Sequence, residues 1–535
     1  MKKKIKARLN ELTYRQYMAL VYIVSKLDIE GEHAQKRGIK EVIGFDSDRM
    51  LQITLEALER KGFITFHGLD RNPLAEITEE TEKNLSILSD RLLLSDEYVE
   101  YNDVKKQTLP ITETKNHFKV TAPSFIDNDS LGYLNNSKRM VHRWSDFLED
   151  YPPSLVWDKI NEYGVTSANT VLDPFMGSGT TLVTAKLRNI NAIGIDVNPV
   201  ANFVTEVKTT WGVDLKKFKT EANAVISSLI EASPILDDVR MTTESLKNMD
   251  TMELHQWLKP RTQNDVAFTR ERINEVEDER IKKLLLLALI VASRDASNVS
   301  FCPGTSFYPF RERPTFLDAF KNKCKEIYED LLILAKINKN YGETTIFNAD
   351  SRNLSTYIEP NSVDFILTSP PYPNDLEYTR QTRLELYLLG YVKNMKDVTE
   401  IKKSMVKGST KLIYQDSSSA KYVEKFESVQ EIVDALEKAF SDKKWGWDYP
   451  RMVKEYFGDI YIVLENVGEV LKEGGYALFV VGDQTYKKIL IPVGEIMMEL
   501  VQDLGFHSQR LETFRVRRST LHSIPLKEEI VIFQK

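Results

Sequence analysis

Short runs of β-branched and aromatic residues recur along this chain, and most end on a polar or acidic side chain. NTVLDPF opens the series, with Thr170 to Leu172 as strand; INAIGIDVNP, TTIFNADSRN, VDFILTSPPY, GYALFVVGDQ and EEIVIFQK follow, separated by helical patterns. Strands that alternate with helices mark βαβ units and a parallel sheet covered on both faces. The first five runs end at Asp173, Asp196, Asp350, Ser369 and Asp483. Ligands of open α/β sheets bind outside the carboxyl ends of the strands, so these five side chains are expected to outline one site.

A chain of 535 residues with a 42% hydrophobic share has room for several domains and an ordinary soluble composition. The run LLLLALIVA, 284 to 292, is about half the length a bilayer crossing needs and reads as a buried helix. The basic start MKKKIKARLN lacks the apolar core of a signal peptide, which predicts a cytoplasmic protein. Cys302 and Cys324 cannot form a disulfide framework, as expected in a reducing compartment. Scattered histidines and the absence of CxxC predict no metal site. A net charge of −7 argues against non-specific coating of nucleic acid but leaves room for a local basic groove.

After the first strand comes DPFMGSGTTLVTAKL. Gly177 and Gly179 permit a tight turn and close backbone approach to a ligand, and Thr180 to Leu187 reads as a helix whose N-terminal N–H groups face it. A glycine pair at a strand end also serves plain tight turns. Asp196 sharpens the reading, because an acid at the end of the next strand is placed to accept hydrogen bonds from ribose hydroxyls. Asp350 is a candidate for the adenine amine. No GxxxxGK[ST] is present, which disfavours a nucleoside triphosphatase. Asp173 would repel a pyrophosphate but suits an ammonium group, so S-adenosylmethionine fits better than NAD.

These residues resemble the DNA amino-methyltransferases, which methylate the exocyclic amine of cytosine or adenine. The family's cofactor motif is matched by Asp173, Pro174, Phe175, Met176, Gly177, Ser178, Gly179 and Thr180; its catalytic motif by Ser369, Pro370, Pro371 and Tyr372. The resemblance implies that Ser369 and the Pro370 carbonyl accept hydrogen bonds from the target amine. It further implies that Tyr372 stacks on a base flipped out of duplex DNA. Ser at the first motif position resembles the cytosine-N4 enzymes, whereas adenine-N6 enzymes more often carry Asp or Asn. Family members with a similar cofactor motif often place the catalytic motif first; here the order is reversed. The segment from His142 to Ile160 looks like the family's short helix over the methionine end of the cofactor, with Phe147 as a candidate, or else like a helix packing on the sheet.

The expected architecture is α/β, a Rossmann-like methyltransferase sheet with helical inserts and an N-terminal winged-helix-like domain. Residues 1–110 resemble a winged helix, with an amphipathic helix in LTYRQYMALVYIVSKL, then a capped helix, a strand, a polar turn and a second strand. Residues 111–199 open the methyltransferase domain, 200–343 form a helical insert suited to target recognition, and 344–535 complete the domain with a smaller insert at 391–450. Candidate DNA contacts in the large insert are Trp257, Arg261, Arg270 and Arg272, although ERINEVEDER also reads as a solvated helix face. Asn374, Tyr378 and Arg380 follow the catalytic loop, and Arg515, Arg517 and Arg518 form a possible phosphate clamp. The leading expectation is a site-specific cytosine-N4 DNA methyltransferase of a restriction-modification or related defence system, paired with a separate restriction endonuclease. The rivals are an adenine-N6 enzyme, an RNA methyltransferase, and a cofactor-sensing DNA-binding regulator.

Overall fold

The computed structural model describes residues 151–236, 257–300, 306–307, 312–337, 341–441, 448–518 and 524–535; earlier in the chain it describes 16, 19–20, 23, 34–35, 48–61, 63–67, 74–77, 120–121 and 139–145. Its centre is a mixed sheet built from β1 (Thr170–Asp173), β2 (Asn191–Asp196), β3 (Thr344–Asn348), β4 (Val363–Thr368), β5 (Leu471–Gly482), β6 (His507–Arg518) and β7 (Pro525–Gln534). From one edge the order is the segment Val120–Thr121, then β6, β7, β5, β4, β1, β2 and β3. The five strands from β5 to β3 run parallel, and β7 lies antiparallel between β5 and β6. The chain winds outward from β1 to β3 and then returns to the other side of β1 as β4. A crevice therefore opens beyond the carboxyl ends of β1 and β4.

Alternation along the strands sends their side chains into two cores. Val171, Phe365, Leu367, Leu478 and Val480 pack with Leu155, Val156 and Ile160 of helix α1 (Pro153–Glu162) and Leu182 of helix α2 (Thr180–Leu187). Their neighbours Leu172, Ile366, Ala477, Phe479 and Val481 pack with Tyr456, Phe457 and Ile460 of the helix Tyr449–Val470 and with Met497 of the helix Val493–Asp503. The sheet is thus buried on both faces, as the apolar runs of β1, β4 and β5 require.

β6 departs from the sequence expectation. HSQRLETFRVRR contains no apolar run and does not belong to the series of buried strands, although alternation would place Arg515 and Arg517 on one face of a strand; it pairs with β7 from His507↔Gln534 to Arg518↔Pro525. Among its described side chains only Leu511 and Thr513 are buried, so its composition is that of a strand near a sheet edge.

The segment 200–343 supplies helices Pro199–Lys208, Leu215–Leu236, Pro260–Asn274, Glu279–Asp295 and Phe316–Ile337. The LLLLALIVA run falls in the fourth of these, capped by Asp278, whose carboxylate accepts from the N–H groups of Arg280 and Ile281. Its leucines share one core with Val183, Val204 and Val207 beside the sheet and with Leu384, Leu386 and Leu388 beyond the fourth strand. Near the N-terminus, the helix Asp48–Arg60 is followed by the antiparallel strands Ile64–His67 and Leu74–Ile77. The first amphipathic segment lies largely outside the described residues, as do the turn between the strands, Cys302 and Phe147. Among the described residues no helix is long and apolar enough to cross a membrane.

Candidate active site

β1 carries the chain to Asp173, which is 1% exposed. Its carboxylate accepts hydrogen bonds from the Thr368 hydroxyl at 2.6 Å, the Tyr151 hydroxyl at 2.9 Å and the Phe175 N–H at 3.1 Å. Burial pushes this carboxyl up to about 6, against the lowering effect of those hydrogen bonds. The chain then turns through Gly177 and Gly179 with φ of 49° and 84°. Gly179 caps α2, and a Cβ there would lie 2.6 Å from the Thr205 side chain, so both conformation and space call for glycine.

β2 delivers Asp196. One oxygen accepts from the Gly177 N–H at 3.1 Å and the other from the Asn198 N–H at 2.8 Å. Burial, with a smaller contribution from the neighbouring charge of Asp173, pushes this carboxyl also to about 6. Asp350, just beyond β3, is held by Arg352: the guanidinium donates to both carboxylate oxygens, at 3.0 Å and 2.6 Å. The second arm of Arg352 reaches the fully buried Asp459 at 2.8 Å.

β4 ends at Thr368 and releases Ser369, Pro370, Pro371 and Tyr372. The ring of Tyr372 lies against the carboxyl end of β5, where a Cβ on Gly482 would come within 2.8 Å of it. Two prolines remove the backbone N–H groups that would extend the ladder, which ends the strand and stiffens the loop.

One cavity joins these parts. Its wall includes Tyr151, Phe175, Gly177, Thr180, Asp196, Asp350, Ser369, Pro370, Pro371, Tyr372 and Tyr378, and it holds about 1050 Å³ of space counted through its open mouth. Asp173 lies behind Tyr151 in hydrogen-bond contact, whereas Pro174, Ser178 and Gly179 shape the turn without lining the cavity. Asn374, on the same loop, and Arg380, in the short helix Tyr378–Gln381 that follows, are off the cavity wall; the Asn374 side chain accepts from the Leu376 N–H at 3.1 Å. Asp483 does not join the other strand ends, because its carboxylate accepts from the Lys527 N–H of β7 at 3.1 Å.

Arg515 and Arg517 share one face of β6, where both reach Glu528, at 2.6 Å and 3.3 Å. The Arg518 side chain lies outside the described residues. In the helical segment Trp257 is 4% exposed and packs near Tyr387 in the core, so the expectation of a DNA contact there is corrected by its burial. Arg261 pairs with Asp265 at 2.8 Å and Arg272 with Glu275 at 2.7 Å, within their own helix and its cap.

Sequence reasoning missed Tyr151, Asn198, Gln381, Met405 and Val406, all of which line the cavity. Asn198 carried a signal, since Asn before Pro is a strong helix cap and its side chain accepts from the Val200 N–H. Met405 and Val406 sit in a segment without strand or helix pattern and reach the cavity only through tertiary folding.

The cavity suits S-adenosylmethionine. The Thr180 hydroxyl is buried at its wall with no hydrogen-bond partner, and Asp196 and Asp350 line the same space. Such a set accommodates hydroxyl, amine and ammonium donors. Among the described residues no group of acidic, histidine or cysteine side chains could hold a metal ion.

Comparison with known proteins agrees with this geometry. A family model described as a DNA methylase matches residues 96–202, the stretch that contains β1, the glycine turn and β2. The chain is 24% identical over 461 residues to the Type II methyltransferase M.BsoBI of Geobacillus stearothermophilus, covering 76% of this chain and 87% of that one. It is 25% identical over 410 residues to the Type II methyltransferase M.AvaI of a Nostoc species (71% and 82% covered), and 22% identical over 448 residues to the Type II methyltransferase M.MvaI of Kocuria varians (76% and 94%). These similarities support membership of the DNA amino-methyltransferase family. Membership implies methylation of an N4 or N6 amine of DNA, with S-adenosylmethionine as methyl donor.

Proposed function

We propose that the protein is a site-specific cytosine-N4 methyltransferase acting on duplex DNA. The observation that carries this reading is Ser369, followed by Pro370, Pro371 and Tyr372, on the wall of the cavity that also holds Asp196 and Asp350. Serine rather than an acid or amide at the head of the loop favours cytosine over adenine. An exocyclic amine is a poor nucleophile because its lone pair is delocalised into the ring. Hydrogen bonds from its N–H groups to the Ser369 hydroxyl and the Pro370 carbonyl would localise that pair for attack. Tyr372 would stack on the base once it has left the duplex, and the rigid prolines would hold all three groups in register.

Asp173, held behind Tyr151, would act on the ammonium end of the cofactor through that residue, while Asp196 would meet its ribose and Asp350 its adenine, with Phe175, Gly177 and Thr180 completing the wall. The cofactor supplies an electrophilic methyl group. Residues 1–110 would act as a DNA-binding winged helix and 200–343 as the target-recognition segment. The Type II names of the relatives support a place in a restriction-modification pair with a separate endonuclease.

The deciding experiment incubates the purified protein with S-adenosylmethionine and mixed-sequence duplex DNA, digests to nucleosides and identifies modified bases by mass spectrometry. N4-methylcytosine is expected. N6-methyladenine would retain the family chemistry and overturn the base assignment, and modification of RNA alone would overturn the substrate.

A further inference from the structure

The catalytic loop is fastened to a second segment, Ser404 to Thr410, by one residue in an unfavourable backbone conformation. Asp375 has φ of 61°, in the left-handed region. Its Oδ1 accepts from the Ser409 hydroxyl at 2.8 Å, the Thr410 N–H at 2.9 Å and the Thr410 hydroxyl at 2.8 Å; its Oδ2 accepts from the Tyr449 hydroxyl at 3.2 Å. The Asp375 N–H donates to the Gly408 carbonyl at 3.0 Å. Gly408 itself passes so close to the loop that a Cβ would stand 2.6 Å from the Tyr372 carbonyl oxygen.

The strap is fastened a second time, at Lys407. The Lys407 N–H donates to Asp459 Oδ2 at 3.1 Å, and Asp459 also holds Arg352 and, through it, Asp350. Just before the Lys407 anchor, Met405 and Val406 line the cavity. The strap therefore spans from the carboxylate hub behind Asp350 to the loop bearing Ser369 and Tyr372.

We propose that Asp375 is a positioning residue, which locks the Ser369–Tyr372 loop to the 404–410 strap and so fixes the base-facing groups relative to the cofactor side of the cavity. The proposal rests on the methyltransferase reading of that cavity. Aspartate is not chosen for its backbone, because glycine adopts a positive φ without penalty. What aspartate adds is an acceptor for four donors from two other segments. The second anchor at Asp459 keeps Met405 and Val406 in place when the first is lost, so cofactor affinity and catalysis should separate.

Three variants and two readouts test this. Asp375→Gly relieves the backbone and removes the acceptor, Asp375→Ala removes the acceptor and leaves a less tolerant residue at the positive φ, and Asp375→Asn keeps an acceptor oxygen on a residue tolerant of left-handed geometry. Hydrogen exchange should rise in the peptides covering both 369–376 and 404–412 for the Gly and Ala variants, with Asn close to the parent protein. The kcat for DNA methylation should fall by about tenfold or more in Gly and Ala, and return to within about threefold in Asn, while the Kd for S-adenosylmethionine stays within about twofold. If Asp375→Gly keeps the parent kcat, or exchange rises in only one of the two segments, the lock does not exist. If the parent protein methylates nothing, the functional reading fails, and the exchange measurement still decides the lock.

Discussion

Asp173 ends β1, beside the strand that releases Ser369. Asp173 is a carboxylate that burial holds at about 6 from an ordinary 3.8. Below about 3.8 it is protonated in both folded and unfolded chains. Between these values the folded protein keeps a proton that the unfolded chain has lost; above about 6 the buried charge weighs fully against the fold. Its stability contribution is therefore greatest in acid and is lost as pH rises through 6. Asp173→Asn should raise the melting temperature near pH 8, with the gain shrinking towards pH 4, as followed by calorimetry. Affinity for S-adenosylmethionine should move the other way, weakening in the parent protein as pH falls through about 6 and staying low in the Asn variant; titration calorimetry across pH would show it. Opposite signs for the two measurements would identify a carboxylate kept for its ligand at the expense of stability.

Among the elements, the hairpin after β5 carries a local conflict. Gln484–Tyr486 pairs with Ile489–Ile491, leaving Lys487 and Lys488 as a two-residue loop with φ of 47° and 70°. This is the geometry in which Asn-Gly is preferred. Lys487 has compensation, since its ammonium donates to the Ala439 carbonyl at 2.6 Å and lies 4.2 Å from the centre of the Phe440 ring. Lys488→Gly should therefore stabilise the protein by roughly 0.5–1 kcal/mol, read from denaturant unfolding. The hairpin bears on the site, because Tyr486 donates to the Pro373 carbonyl at 2.7 Å. Elements of this kind also show what a sequence can reveal. β1, β2, β4 and β5 were legible because burial on both faces leaves an unbroken apolar run, and the residue where each run stops is a strand end by construction. β6 was legible only at its end, where alternation places Arg515 and Arg517 on one face, because the rest of HSQRLETFRVRR has no apolar run. Tyr151, Met405 and Val406 reach the cavity from segments whose local pattern says nothing about their neighbours.

For the whole molecule, a net charge of −7 sits beside a polyanionic substrate. Binding must then rely on cations concentrated over a limited surface, and several arginines are already paired, Arg515 and Arg517 with Glu528 among them. DNA affinity should fall linearly on a logarithmic salt scale with a slope of about −0.9 for each phosphate contacted, measurable by fluorescence anisotropy. A slope near zero would mean that recognition proceeds without phosphate neutralisation.

The hydrogen bond from Thr368 to Asp173 joins residues 195 positions apart. The cofactor wall and the loop that would face the base therefore leave the ribosome at different times. A nascent chain could complete the glycine turn and Asp196 long before Ser369 has been translated. Competence to modify DNA would arrive late in synthesis, and a message broken between the second and third strands would yield a product able to shape part of one pocket and unable to mark the genome.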